Sequence, residues 1–109
     1  MQRENLARFR LTRVLALERV RAAAQDSANL RWTAHIRQRM EERGIDDSDV
    51  LRIVRTGHVD EDPIEGKTKG EWKIKLTRKL SNGRVAGVVT ALLVNGQLRL
   101  LTTEWEDHR

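Results

Sequence analysis

Two Asn-Gly pairs most constrain how this chain can fold. Asn82-Gly83 and Asn95-Gly96 each separate two strand-like runs, and Asn-Gly is the preferred pair in two-residue type I′ hairpin turns. The pairs therefore predict a three-stranded antiparallel meander in the C-terminal third of the chain. Because the turn length fixes strand register, we expect Leu80 to oppose Val85, and Val94 to oppose Gln97.

This register assigns every strand residue to one of two faces. The first face is almost entirely apolar, so we expect helices to cover it. Its predicted rows are Trp72, Leu93 and Leu98, then Ile74, Ala91 and Leu100, then Leu76, Val89 and Thr102. The second face is mixed, basic and hydroxyl-bearing, and it carries Lys73, Lys75, Lys79, Thr90, Arg99, Thr103 and Trp105.

Three helices are predicted before the meander. Leu6 to about Ala24 is rich in strong helix formers and contains neither Gly nor Pro. A second helix should begin after Thr33, a suitable N-cap, and end at Gly44. A third should be capped by residues 46–48 and end at Gly57, followed by a short edge strand at His58 to Asp62 and a loop.

These elements predict an α+β fold in two layers. The N-terminal helix and a helical hairpin pack on one face of a mainly antiparallel meander sheet of three to four strands. We divide the chain into an N-terminal helix with its linker, residues 1–29, and a single α+β domain, residues 30–109.

The first helix carries two apolar stripes on nearly opposite sides. The stronger stripe, which includes Phe9, Val14, Val20 and Ala24, is expected to pack on the domain. The weaker stripe, Leu11, Leu15 and Ala22, could contact a protein partner or a second copy of the chain. The alternative is a partly exposed helix with a frayed end.

The composition points to a polyanionic partner. The chain of 109 residues has 21 Lys and Arg against 16 Asp and Glu, a net charge of +5, and no Cys that could act as a nucleophile or metal ligand. His35, His58 and His108 lack metal-ligand spacing and no phosphate-binding loop occurs, so we expect no cofactor. No apolar run suits a membrane span or export signal, and a cytoplasmic protein is expected.

The second sheet face is the predicted nucleic-acid surface. Its cations suit phosphates and an aromatic ring there could stack an unpaired base, which assigns RNA binding to Lys73, Lys79, Thr90, Arg99 and Trp105. The alternative is an ordinary solvated face. His35 lies one helical turn before Arg39, so the two could supply acid-base chemistry and charge stabilisation. The alternative is a histidine near the helix cap, with Arg39 and Glu42 as a surface pair.

The helical hairpin carries a recognisable motif. The motif consists of His35, then Arg39-Met40, then Arg43-Gly44-Ile45 and the acidic cap that follows. With this motif, the chain resembles the bacterial domain of unknown function 4258 family over Trp32 to about Trp105. This resemblance implies a fold like that of RelE-type ribonuclease toxins, with RNA on the sheet face that the helices leave open and with an antitoxin partner. The acidic end, Glu104 to Asp107, departs from the basic or aromatic residues that such toxins often place there.

Two functional hypotheses follow. The first is a metal-independent endoribonuclease of toxin type acting on single-stranded RNA, in which the catalytic residues are His35, Arg39, Lys75 and Thr103. The second is a non-catalytic module that binds nucleic acid or a protein, with a homodimer through the N-terminal helix as one form.

Overall fold

The computed structural model describes residues 9–107 and shows three α-helices on one face of a five-stranded mixed sheet. This confirms the α+β class, with one strand more than the largest sheet predicted. The helices are α1 (Arg13–Ala24), α2 (Ala34–Arg43) and α3 (Asp47–Thr56). The strands are β1 (Leu30–Trp32), β2 (Ile64–Glu65), β3 (Trp72–Lys79), β4 (Val85–Leu92) and β5 (Leu98–Trp105).

The strand order is β1-β5-β4-β3-β2, and the meander β3-β4-β5 forms its centre as predicted. The sequence did not reveal β1, which has only three residues and pairs in parallel with β5. The linker predicted at the end of residues 1–29 is short and ordered. It forms a 3-10 turn at Ser27–Asn29, and Arg55 of α3 donates hydrogen bonds to Ala24 O at 2.8 Å and Ser27 Oγ at 3.1 Å.

The helical hairpin has the boundaries that its capping residues predicted. Thr33 Oγ1 accepts from Ile36 N at 3.1 Å, and α2 ends at Gly44, whose φ of 67° is the left-handed conformation that glycine favours. A capping box between Asp46 and Asp49 begins α3. Local hydrogen bonds within a few residues therefore define this hairpin.

Helix α1 begins later than predicted and belongs to the common core. Thr12 is its N-cap, residues 9–12 are not helical, and the predicted start at Leu6 lies outside the described residues. Of the stripe expected to pack, Val20 is buried, but Phe9 and Val14 are 56% and 67% exposed. The buried side chains of α1 join those of α2, α3 and the sheet in one cluster; they are Ala16, Val20, Ala23 and Ala24.

The edge strand lies further along the chain than predicted. His58 forms only an isolated antiparallel bridge to Thr77, and the strand itself, β2, comes after Pro63. Proline has no N–H to donate to a strand ladder, so regular pairing with β3 begins after it.

Both predicted hairpin registers are wrong by one residue. Leu80 pairs with Arg84, donating to its carbonyl at 2.8 Å, and Leu93 N donates likewise to Gln97 O at 2.9 Å. Each loop thus has three residues and ends in a glycine with positive φ, 84° at Gly83 and 87° at Gly96. The asparagine side chains favour these longer loops, because Asn82 Oδ1 and Asn95 Oδ1 accept from the amide two residues later.

The one-residue shift turns β4 over relative to its neighbours. Leu92, Thr90 and Val88 face the helices, whereas the prediction placed Leu93, Ala91 and Val89 there. Strand β5 keeps its predicted orientation only to Leu100, because a bulge at the register shift opposite Val89 and Thr90 inserts an extra residue. Beyond the bulge, two further residues predicted on the uncovered face lie instead on the helix-covered face: Thr103 and Trp105.

Candidate nucleic-acid interface

The sheet surface turned away from the helices is named here the open face. Because side chains alternate along a strand, the paired register assigns its members. The predicted residues Lys73, Lys75, Lys79 and Arg99 all lie on it, with Thr77, Gly87 and Glu104 between them. The predicted residues Thr90, Thr103 and Trp105 do not.

Lys75, near the centre of the open face, is held by glutamates. Its Nζ lies 2.9 Å from Glu106 Oε1 and 3.6 Å from Glu104 Oε2, and 21% of its side chain is exposed. Burial disfavours the charged amine, but the hydrogen bond and charge of Glu106, aided by the charge of Glu104, outweigh it and raise the pKa of Lys75. This lysine is therefore already paired within the protein.

Gly87 makes that pairing sterically feasible. A Cβ on Gly87 would lie 2.7 Å from Glu106 Oε2 and 3.1 Å from Lys75 Cε, so the carboxylate occupies the space of the missing side chain. Glu106 Oε2 is itself buried and accepts no hydrogen bond within the described part of the chain. The acidic end of the chain thus reaches across β4 to the centre of the sheet.

Arg99 is also paired, with Arg99 Nη2 3.2 Å from Glu71 Oε1. Lys73 and Lys79 differ, since both are exposed and neither forms an ion pair within residues 9–107. Two of the cations that remain unpaired on the open face are therefore at the two ends of β3, about 20 Å apart at about 3.3 Å per residue. A third is Arg31 of β1, which lies beside Arg99, is exposed and donates to the neutral Gln97.

The two threonines and the tryptophan predicted to contact RNA have structural partners on the covered face. Thr90 Oγ1 donates to Arg99 O at 3.0 Å and Thr103 Oγ1 to Gly87 O at 2.7 Å. Trp105 Nε1 donates to Arg43 O at 2.7 Å. The indole ring lies 4.0 Å from the guanidinium carbon of Arg84, and neither hydroxyl is exposed.

The predicted catalytic residues do not come together. Helix α2 packs on the covered face against β5, and His35 is exposed at its N-terminal end. Arg39 forms an exposed ion pair with Glu42 at 2.7 Å. Lys75 projects from the opposite side of the sheet and Thr103 is buried beneath the helix layer. The sheet separates His35 from Lys75, whereas a shared site needs contacts of about 3 Å.

The predicted partner stripe of the first helix is not a continuous exposed surface. Leu11 lies before the helix and is 4% exposed, Leu15 packs against the core, and only Ala22 is exposed. A homodimer or an antitoxin contact at α1 remains a prediction, and these three residues do not form a surface for it.

A second basic surface, which we name the edge groove, was not predicted from the sequence. It has a volume of about 470 Å³ and is lined by Arg52, His58, Arg78, Lys79, Leu80 and Ser81. Only Lys79 was predicted as a binding residue. Arg52 lies on α3 and His58 after it, so no spacing along the chain shows that they meet the end of β3.

Within residues 9–107, no three His, Cys, Asp or Glu side chains form a group that could hold a metal ion. In the same range, no helix is long and apolar enough to cross a membrane.

Comparison with known proteins identifies the family but not an activity. Searches of curated proteins and of solved structures each found no match, so no relative supports the resemblance to RelE-like toxins. One family model matches residues 32–105, more than half of the 109-residue chain. The match contains the helical hairpin and the whole meander and leaves out α1. The chain therefore belongs to the family described as Domain of unknown function (DUF4258).

Proposed function

We propose that this protein is a non-catalytic module that binds single-stranded RNA along the open face of its sheet. The observation that carries the proposal is that no described helix covers this face, while β3 leaves Lys73 and Lys79 exposed there with no acidic partner in residues 9–107. Exposed cations that are not neutralised within the protein bind phosphates and release counterions.

The open face favours contact with the phosphate backbone rather than with bases. The aromatic residues of the described chain, Phe9, Trp32, Trp72 and Trp105, lie at the N-terminal segment, the β1 edge or the covered face. Stacking, the usual sequence-tolerant source of affinity for unpaired bases, therefore contributes little. We expect binding that weakens steeply with salt and depends little on sequence.

The separation of His35 from Lys75 and Thr103 is the reason to propose binding without cleavage. An endoribonuclease of toxin type remains the more specific hypothesis. It would need an acid-base group beside the bound phosphate, and the predicted group, His35, lies on the far side of the sheet. The other described histidine, His58, lies at the sheet edge, so the cleavage test includes it.

The first test is fluorescence anisotropy of a short labelled single-stranded RNA, titrated from about 50 to 200 mM salt. Lys73→Ala and Lys79→Ala should each weaken binding and lower the salt slope by about one. Lys67→Ala, which removes an exposed lysine from the loop before β3, is the matched control and should leave both unchanged. Equal losses in all three variants would contradict binding along the open face.

The second test incubates the same RNA with the protein in EDTA. The proposal expects intact RNA. Cleavage by the wild type that is lost in His35→Ala or in His58→Ala would overturn it and support the toxin-type ribonuclease.

A further inference from the structure

The edge groove lies where the end of α3 meets the end of β3. Gly57 permits this contact, because a Cβ there would lie 2.5 Å from Ile53 O and 2.8 Å from Thr77 O. The backbone next to it is then held by two hydrogen bonds, His58 N to Thr77 O at 2.9 Å and Thr77 N to His58 O at 3.0 Å. Hydrogen-bonded backbone thus fixes the part of the groove where His58 meets β3.

Its cations approach from both sides of the sheet edge. Arg52 comes from α3 and Arg78 from the covered side of β3. Lys79 projects to the open face, as does His58, because directly paired antiparallel residues point to the same side. Ser81, in the three-residue loop after β3, adds a hydroxyl to the lining.

The cations of the groove form no ion pair within the described residues, and the nearby Asp60 accepts a hydrogen bond from Thr77 Oγ1 at 3.0 Å. These cations are Arg52, Arg78 and Lys79, and the lining contains no Asp or Glu. Arg78 is half-buried, and its Nε is buried without a hydrogen-bond acceptor in the described residues. The lining thus combines three cations with one histidine, a composition that suits a phosphate-like oxyanion.

We propose that the edge groove is a phosphate-binding site that takes a phosphodiester group of the RNA strand. Planar guanidinium groups such as those of Arg52 and Arg78 match phosphate oxygens in bidentate geometry, and Lys79 adds a point charge. Lys79 belongs to both the open face and the edge groove. An RNA strand bound along β3 on the open face would therefore enter the groove at the Lys79 end of β3. This inference rests on the proposed function for the source of the phosphate.

The experiment measures RNA affinity for Arg78→Gln and Arg52→Gln. The matched control is Arg19→Gln, an exposed arginine of α1 on the helix-covered side of the sheet. Each groove variant should lose about fivefold or more in affinity, the control less than about twofold, and Arg78→Lys should recover part of the loss by restoring charge. Thermal melting shows whether each variant is folded. If replacing the half-buried Arg78 prevents folding, the variant at the exposed Arg52 still tests the groove.

A parallel titration with inorganic pyrophosphate, followed by NMR of the amides of His58 and Ser81, separates the two proposals. Shifts in the wild type that vanish in Arg52→Gln support the groove even if no RNA binds. If RNA affinity falls in Lys73→Ala but not in the groove variants, the groove is overturned and the proposed function stands. The absence of both RNA and pyrophosphate binding overturns both.

Discussion

The centre of the open face and the edge groove are both basic in sequence, yet they differ in what the fold adds to them. At the centre, Lys75 and Arg99 meet Glu106 and Glu71, so their charges are largely satisfied within the protein. At the edge, Arg52, Arg78 and Lys79 form no ion pair in the described chain, and Asp60 accepts from Thr77 Oγ1. The net charge of +5 is therefore a poor guide to where an anion binds.

The difference has a topological cause. Only β4 separates β5 from β3. Glu106, just after β5, reaches Lys75 of β3 by passing over Gly87 of β4, which has no side chain in the way. The groove lies on the outer side of β3, away from β5, so that acidic end does not reach it. The two regions also differ in rigidity, since Gly57 is surrounded by backbone atoms and Gly87 by the ends of two flexible side chains.

The largest expected effect is on the rigid region. Gly57→Ala places a Cβ against two carbonyl oxygens that cannot move without shifting α3 or β3, so we expect a loss of about 2–3 kcal/mol in the free energy of unfolding. Chemical denaturation measures it. Gly87→Ala is the matched comparison and should lose less than about 1 kcal/mol, because the Glu106 carboxylate and the Lys75 side chain can rotate away. Equal losses at the two glycines would refute the contrast in rigidity.

Releasing the central lysine should strengthen RNA binding. Glu106→Gln removes the charge nearest Lys75 and keeps the side-chain shape, so we expect affinity to rise about threefold as one more cation becomes available to phosphate. Anisotropy titration measures it at low salt.

The control for this gain is Glu65→Gln, which removes one negative charge from an exposed residue of β2. It should change the affinity by less than about 1.5-fold. Gly87→Ala should act in the same direction as Glu106→Gln, by displacing the carboxylate. A gain as large in Glu65→Gln would mean that overall charge, not Lys75, is responsible.

The smallest effect concerns alkaline pH. Because the pKa of Lys75 is raised in the folded protein, the pair contributes stability that is fully present below the usual value of 10.5 and is lost as pH rises through the raised pKa. Wild type should therefore lose stability relative to Lys75→Met above pH 10.5, by less than about 1 kcal/mol. Melting curves over this range measure it, and equal pH trends for wild type and Lys75→Met above pH 10.5 would contradict the prediction.

Much of the fold could be predicted where a few neighbouring residues decide the conformation. The cap at Thr33, the left-handed Gly44 and the acidic cap at Asp46 define the helical hairpin by hydrogen bonds within a turn of the chain. The two Asn-Gly pairs likewise located both loops of the meander, but each loop has three residues instead of the two predicted. Two-residue and three-residue loops both accept Asn-Gly, and the extra residue moved Thr90 to the opposite face of the sheet.

The candidate site could be predicted only in part, for a related reason. Alternation along β3 placed Lys73, Lys75 and Lys79 on one face. In a strand, residues i and i+2 point to the same side of the sheet, and this does not depend on the neighbouring strands. Whether each lysine is available depends on acids from distant parts of the chain, such as Glu106, and these contacts follow the strand order.

Local chemistry in the chain thus determined the helix ends, the positions of the turns and the row of lysines on β3, because each depends on atoms a few residues apart. The tertiary structure alone decided that Arg52, His58 and Arg78 line one groove, and that His35 and Lys75 do not share a site. Those outcomes depend on long-range pairing between β3 and the residues after α3, and on which face of the sheet the helices cover. Neither leaves a periodic signal in the sequence.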